Sequence, residues 1–229
     1  MSITVAPVGH SRILSVGTYR PKRVVPNSEI VDRIDSTDEW IVQRTGIESR
    51  RFAGDDEIVI SMAKAACEIA LKRAKLTIAD IDTVILSTIS YPFQAPSAAT
   101  ELINELGNPK AAAFDISAAC AGFCYGVAMG SDLVRSGTSK NVLVIGVEKL
   151  SDYTDPDDRA TAFIFADGAG AVVIGQSDQP RIGQTIWGSD ADSRDAITFT
   201  PSFLDFKKNP DTVSYTHLRA HETGRNLVC

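Results

Sequence analysis

The chain has 229 residues, 44% hydrophobic and 23% charged, with 16 Gly, 10 Pro and a formal charge of −6. That composition is globular and carries enough apolar material for a sizeable core, which excludes a miniprotein or a disordered chain. Lys and Arg are scattered in ones and twos, so no basic stripe neutralises a run of phosphates, and nucleic acid is not an expected partner. The longest uncharged stretches, Thr83 to Thr100 and Ile116 to Ser131, are broken by Pro or built from Ala, Gly, Ser and Cys, too weakly apolar to span a bilayer. The opening MSITVAPVGHSRIL lacks the basic and apolar regions of a secretory signal. A cytoplasmic protein without membrane contact is expected, in which Cys67, Cys120, Cys124 and Cys229 are free thiols, each either core filler or chemistry.

In chain order, Arg12 to Val16 reads as a short strand. Asn27 to Ile34 and Asp38 to Gln43 read as two short helical pieces, the second capped by Ser36 or Thr37. Glu57 to Ala74 repeats Ile58, Met62, Ala66, Ile69 and Ala70 at helical spacing, with Cys67 beside the stripe as a packing residue. Thr83 to Thr88 is a buried strand, Pro96 to Leu106 a helix stopped by Gly107, and Ala111 to Ile116 a strand. Ala121 to Ser136 continues as a helix ending at Gly137, and Val142 to Val147 is apolar enough for a sheet covered on both faces. Ala162 to Ala166 and Ala171 to Ile174 suggest a hairpin across Asp167-Gly168. The order βαβαβαββ predicts an α/β fold over residues 1–176. Beyond it the pattern decays: Ile182 to Trp187 is the last candidate strand, and Thr198 to Pro210 has no clear period. Residues 214–229 hold two of the three His and match neither the composition nor the rhythm before them; they are expected to be non-native.

The most informative segment is Phe114-Asp-Ile-Ser-Ala-Ala-Cys120-Ala-Gly-Phe-Cys124, an apolar strand running through small residues into a helix. Ala118, Ala119, Ala121 and Gly122 leave room for a substrate to approach the sulfur, as a nucleophile elbow requires. Unpaired N–H groups at a helix start favour thiolate over thiol, and the Cys120 N–H is placed to bind a developing oxyanion. The plainer alternative is a small buried hydrophobe. Cys124, four residues on and so on the same helix face, is expected to pack, since no third ligand completes a metal site.

Three motifs in order resemble the β-ketoacyl-acyl carrier protein synthase III family, the initiating condensing enzymes of the thiolase superfamily: Ser36-Thr-Asp-Glu-Trp40-Ile-Val-Gln-Arg44-Thr-Gly-Ile, Phe114-Asp-Ile-Ser-Ala-Ala-Cys120-Ala-Gly-Phe, and Asp158-Arg159-Ala-Thr-Ala-Phe-Ile-Phe165-Ala-Asp167-Gly-Ala-Gly-Ala. Elongating ketosynthases and thiolases lack the first motif. The resemblance runs from about Arg12 to about Asn209 and implies a thiolase-like αβαβα fold. Residues 1–176 would form the Cys-bearing N-terminal half, and 177–213 the start of a second half that is mostly missing, leaving apolar faces uncovered and solubility poor. It implies that Cys120 takes a short acyl group from acyl-CoA and passes it to the carbanion of decarboxylating malonyl-acyl carrier protein. It places Trp40 and Arg159 on the adenine of coenzyme A, Arg44 at the nucleotide end, and Phe165 in the acyl pocket. Ala95 matches a position where some relatives carry a bulky residue that reaches the partner's acyl pocket, so a methyl there implies longer or branched primers. A homodimer and no permanently bound cofactor are also implied.

Without the family, Trp40 is a helix residue anchored to the core, Phe165 a core strand residue, and Arg44 and Arg159 solvated surface charges. Asp152, Asp155, Asp157 and Asp158 lack the ligand spacing of a calcium loop, and Asp167-Gly-Ala-Gly170 is followed by a strand rather than a helix, so neither a metal nor a dinucleotide motif is read there. The family's condensing His and Asn belong to motifs absent from this sequence; His217, His221 and Asn226 have other surroundings and receive no role. Two rivals remain: a starter-unit synthase of polyketide or quinolone type, and a non-catalytic fragment that binds coenzyme A.

Overall fold

The computed structural model describes residues 9–200, 202–208 and 217–220. In chain order the elements are β1 (His10–Tyr19), β2 (Arg23–Pro26), α1 (Asp38–Thr45), β3 (Ser49–Phe52), α2 (Val59–Ala74), β4 (Thr83–Ser87), α3 (Ala98–Leu106), β5 (Ala112–Ile116), α4 (Gly122–Arg135), β6 (Asn141–Lys149), β7 (Asp167–Ser177), β8 (Ile197–Thr200), α5 (Phe203–Lys208) and β9 (His217–Ala220). They form two compact units, each discontinuous in sequence.

The first unit comprises residues 1–22, 53–149 and 167–185. Its five-stranded sheet has the order β1-β7-β6-β4-β5. β5 and β6 pair with β4 in parallel, while β7 runs antiparallel to both β6 and β1. Alternation along the strands sends residues to two helical layers. Val84, Leu86, Leu143, Ile145, Ala171 and Val173 meet the Met62, Ala66, Ala70 and Leu102 side of α2 and α3. Ile85, Val142, Val144, Val172 and Ile174 form the other face, with Val134 of α4. Each fully buried Val, Leu or Ile contributes roughly 1.5–3 kcal/mol, so the continuously apolar strands are what the doubly covered sheet demands. Helix α2 sits tightly on β1 because Gly17 has no side chain; a Cβ there would lie 2.1 Å from the Ala66 carbonyl oxygen.

Several expected elements occur with small shifts at their ends, and Gly107 closes α3 at φ +85° as a left-handed cap. The hairpin expected over Ala162 to Ile174 does not form. Asp167 and Gly168 are not a turn but open β7, opposite Lys149 and Glu148 of β6. The preceding apolar run coils in turns, Ala162 N–H donating to Asp158 O (3.0 Å) and Ile164 N–H to Thr161 O (3.1 Å), and so Phe165, just past them, is half-buried and outside any strand rather than a core strand residue. Ile182 to Trp187 has no strand either, with Ile186 94% exposed.

The second unit comprises residues 23–52, 150–166 and 186–229. The β2–β3 ribbon and α1 enclose a small core of Val25, Ile30, Ile34, Ile41, Ala162 and Phe163. The helical piece expected from Asn27 is a single 3-10 turn, Asn27–Glu29, followed by further turns. Segments without a readable period do form structure: β8 pairs antiparallel with β9, and α5 follows β8. Within the tail expected to be non-native, 217–220 is β9, and 214–216 and 221–229 lie outside the described residues, Cys229 among them.

Candidate active site

In the first unit, β5 leads into a 3-10 turn, Ala119–Ala121, and then α4. Cys120 sits in that turn, exposed. Ala119 holds φ +43°, a left-handed conformation that costs a non-glycine residue on the order of 1–3 kcal/mol and that a small side chain tolerates best. Within the turn Ala121 N–H donates to Ala118 O (3.0 Å) and Gly122 N–H to Ala119 O. Neither bond uses the Cys120 N–H, and among the described residues no side chain caps the start of α4. Gly122 rests on β4, where an added Cβ would meet the Ser87 hydroxyl oxygen at 2.0 Å. Cys67 is fully buried in α2, its thiol pKa raised by that burial and by the Glu68 charge. Cys124 corrects its expectation: it is exposed like Cys120. Gly122, Gly126 and Gly130 carry the face of α4 that touches the sheet, and Cys124 lies about 200° around the helix from Gly122.

Two carboxylates tie neighbouring loops to this end of the sheet. Asp115, in β5, accepts the N–H groups of Ala98 (2.7 Å) and Ala99 (2.8 Å), capping α3 from outside the helix. Glu148, at the end of β6, accepts from Ile89 N–H (3.0 Å) and from the hydroxyls of Ser90 (2.5 Å) and Thr88 (3.3 Å). Burial pushes its carboxyl above the ordinary range, against the opposing pull of those hydrogen bonds. Between these anchors runs the exposed segment that carries Ala95, whose peptide bond to Pro96 is cis, and Phe93, 64% exposed.

In the second unit, Trp40 projects from the first turn of α1. Its N–H is capped by the Thr37 hydroxyl at 3.2 Å. The indole packs edge-on against Phe163, centroids 5.4 Å apart at 85°, and so does anchor to a core. It also gathers two cations: the guanidinium carbon of Arg44 is 4.2 Å from the ring centroid and that of Arg159 is 5.6 Å away. Arg159 also makes a loose ion pair with exposed Asp35 (3.6 Å). Its turn is held by Asp158, which accepts from Ala160 N–H (2.9 Å) and the Thr161 hydroxyl (2.5 Å). Asp35, Ser36, Thr37, Trp40 and Arg159 line a depression of about 170 Å³. The Ser36 hydroxyl oxygen is buried there and has no hydrogen-bond partner among the described residues. Since capping falls to Thr37, Ser36 is left with an unmet polar group at the wall of the depression, a role its sequence context did not distinguish from capping.

Residues 114–191 match the sequence profile of 3-oxoacyl-[acyl-carrier-protein] synthase III. The β-ketoacyl-[acyl-carrier-protein] synthase III of Kocuria rhizophila is 52% identical over 201 residues, 88% of this chain and 57% of that protein. That of Streptomyces glaucescens is 51% identical over 199 residues, 87% of this chain and 60% of its own length. The chain belongs to the β-ketoacyl-[acyl-carrier-protein] synthase III family. It spans about 57–60% of the length of these two curated relatives. Among solved structures, the priming β-ketosynthase of the R1128 polyketide biosynthetic pathway superposes with a TM-score of 0.91 at 41% identity, covering 96% of this chain and 66% of that one. The thiolase-like α/β fold of this synthase III chain is therefore established by its neighbours as well as by its own sheet. Of the residues singled out in the sequence, Trp40, Arg44 and Arg159 come together, and Phe165 lies in the same unit; Cys120 and Ala95 belong to the other unit.

Proposed function

We propose that this synthase III chain carries the acyl-loading machinery of an initiating condensing enzyme in fatty-acid synthesis. The Cys120 thiolate attacks the thioester carbonyl of a short acyl-CoA, the Cys120 N–H stabilises the oxyanion, and the coenzyme A thiolate leaves and takes a proton, giving an acyl-Cys120 thioester. In the whole protein the acyl group then passes to the carbanion formed when malonyl-acyl carrier protein loses carbon dioxide, and the Cys120 thiolate is released. The condensing His and Asn of the family lie outside the motifs present here, so this chain is assigned loading and not condensation. Trp40 and Arg159 would hold the adenine, Arg44 the phosphate-bearing nucleotide end, and the orphaned Ser36 hydroxyl a ring nitrogen of the base. Phe165 would line the acyl pocket, and Ala95 would leave space for a longer or branched primer. No permanently bound cofactor is invoked. The site works as a cytoplasmic homodimer in the whole protein.

What carries this reading is the exposed sulfur of Cys120 on a strained turn at the start of α4. The test is incubation with radiolabelled acetyl-CoA. Label should transfer to Cys120, up to one acyl group per chain, with equal release of coenzyme A, and Cys120→Ala should abolish it. Label retained by Cys120→Ala, or coenzyme A binding without any transfer, would overturn the loading assignment in favour of a binding module. The 0.91 superposition on a priming ketosynthase of a polyketide pathway favours one second reading, a starter-unit synthase of that kind. Preference for a branched or six-carbon acyl-CoA over acetyl-CoA would support it.

A further inference from the structure

Arg50 of β3 is 5% exposed and, among the described residues, pairs with no carboxylate. Its Nη1 donates to Val25 O (3.3 Å), its Nη2 to Asn27 Oδ1 (2.6 Å) and Phe163 O (3.1 Å), and its Nε is buried with no partner among the described residues. A cation taken out of water on these terms is a poor way to fill a core, since an apolar side chain of similar volume would pack without the desolvation cost. What the guanidinium offers instead is a planar fork that reaches two chain segments at once.

Those segments are the ones that present the aromatic and cationic groups. Asn27, 1% exposed, receives Arg50 on its oxygen and with its Nδ2 donates to Asp38 Oδ1 (2.6 Å) and Ile47 O (2.8 Å), so it grips α1 at its first residue and just past its end. Trp40 and Arg44 stand on the helix so gripped. Phe163, whose carbonyl Arg50 holds, lies four residues beyond Arg159, and its ring packs against Trp40. The Asn27 amide thus links the Arg50 guanidinium to the Asp38 carboxylate.

We infer that Arg50, through Asn27 and the Phe163 carbonyl, is a positioning residue that holds the Trp40 and Arg159 segments side by side at the place proposed to take a purine nucleotide. The inference rests on the nucleotide role proposed above for that pair, and it adds a residue that touches no ligand. A lysine at 50 keeps the charge and most of the volume but cannot make the two-segment contact.

The test uses the full 229-residue chain in a Trp187→Phe background, so that Trp40 is the sole tryptophan. Arg50→Lys, Arg50→Met and Trp40→Ala are compared with that parent by calorimetric titration of coenzyme A, adenosine 3′,5′-bisphosphate and pantetheine. Near-UV circular dichroism reads the order of the Trp40 ring without ligand. Arg50→Lys should weaken both nucleotide-bearing probes by about tenfold or more, leave pantetheine binding unchanged and diminish the Trp40 signal. Arg50→Lys with parental affinity for both nucleotides overturns the inference, as does equal weakening of all three probes; Arg50→Met adds to the comparison if it folds. If the parent binds none of the probes, the nucleotide reading itself falls, and the Trp40 signal of Arg50→Lys then reports the positioning alone: an unchanged signal overturns that too.

Discussion

The Ser87 hydroxyl oxygen lies 2.0 Å from where a β-carbon on Gly122 would be placed. The start of α4, and with it the Cys120 turn, can therefore rest on β4 only if residue 122 has no side chain. Gly122→Ala should cost about 1–3 kcal/mol, read from the urea midpoint, and should change the rate at which iodoacetamide alkylates Cys120. A variant of parental stability and parental alkylation rate would show that the turn is not seated this way.

The thiols should separate by accessibility. In a Cys229→Ser background, Cys120 and Cys124 should react with a disulfide reagent in the native protein, while Cys67, wholly enclosed and held in its neutral form by burial, should react only as fast as the chain unfolds. Peptide mapping after short exposure assigns each site. Early modification of Cys67 would contradict the packing of α2.

Asp115 caps α3 with both carboxylate oxygens, so its removal leaves two N–H groups of the helix start unpaired. Asp115→Ala should lower stability by about 1–2 kcal/mol. Asp115→Asn should fall between the two, because one amide oxygen accepts where two oxygens did. Hydrogen exchange at the Ala98 and Ala99 amides should accelerate in both variants, and unchanged protection there would argue against the cap.

Glu57 is held below the usual carboxylate range, first by the Tyr19 hydroxyl (2.5 Å), then by Gly54 N–H and by the N–H and charge of Lys22. A carboxyl whose folded value is depressed adds stability above its unfolded value, near 4.3, and loses it as pH falls through the folded one. Tyr19→Phe should therefore be less stable than the parent at pH 7, with the gap narrowing below about pH 4. Urea unfolding at pH 7 and pH 3 makes the comparison, and a gap that widens in acid contradicts the assignment.

Elements with a clear period or a cap were legible from sequence: α2 from its apolar stripe, α3 from Gly107, and β6 from its unbroken run of Val, Leu and Ile. The Ala162 to Ala166 stretch misled because an apolar run before Asp-Gly resembles a hairpin arm, whereas the partners of β7 are chosen at long range, in β1 and β6. The exposure of Cys120 was legible because small neighbours are a compositional signal. The positive φ of Ala119 was not, since nothing in a run of alanines distinguishes the residue that carries it. For Cys124 the conclusion was wrong because Cys120 stands in the turn before α4 rather than on it, and the glycines of α4 take the side that meets the sheet, leaving Cys124 exposed. Arg50 went unread because its value depends on two carbonyls and an amide brought from elsewhere in the chain.

The sheet order β1-β7-β6-β4-β5 also dictates an assembly schedule. Among the described strands, β1 (His10–Tyr19) has one neighbour in its sheet, β7, the strand of that sheet made last, which ends at Ser177. At synthesis rates of roughly 5–20 residues per second, β1 waits on the order of ten seconds for its neighbour to exist. Through that interval α2 is made before the strand on which it will lie is fixed, and its row of alanines must be shielded by other means. The nascent chain is thus most exposed to misassociation while the segment between Gly17 and its eventual partner Ala171 is still being made.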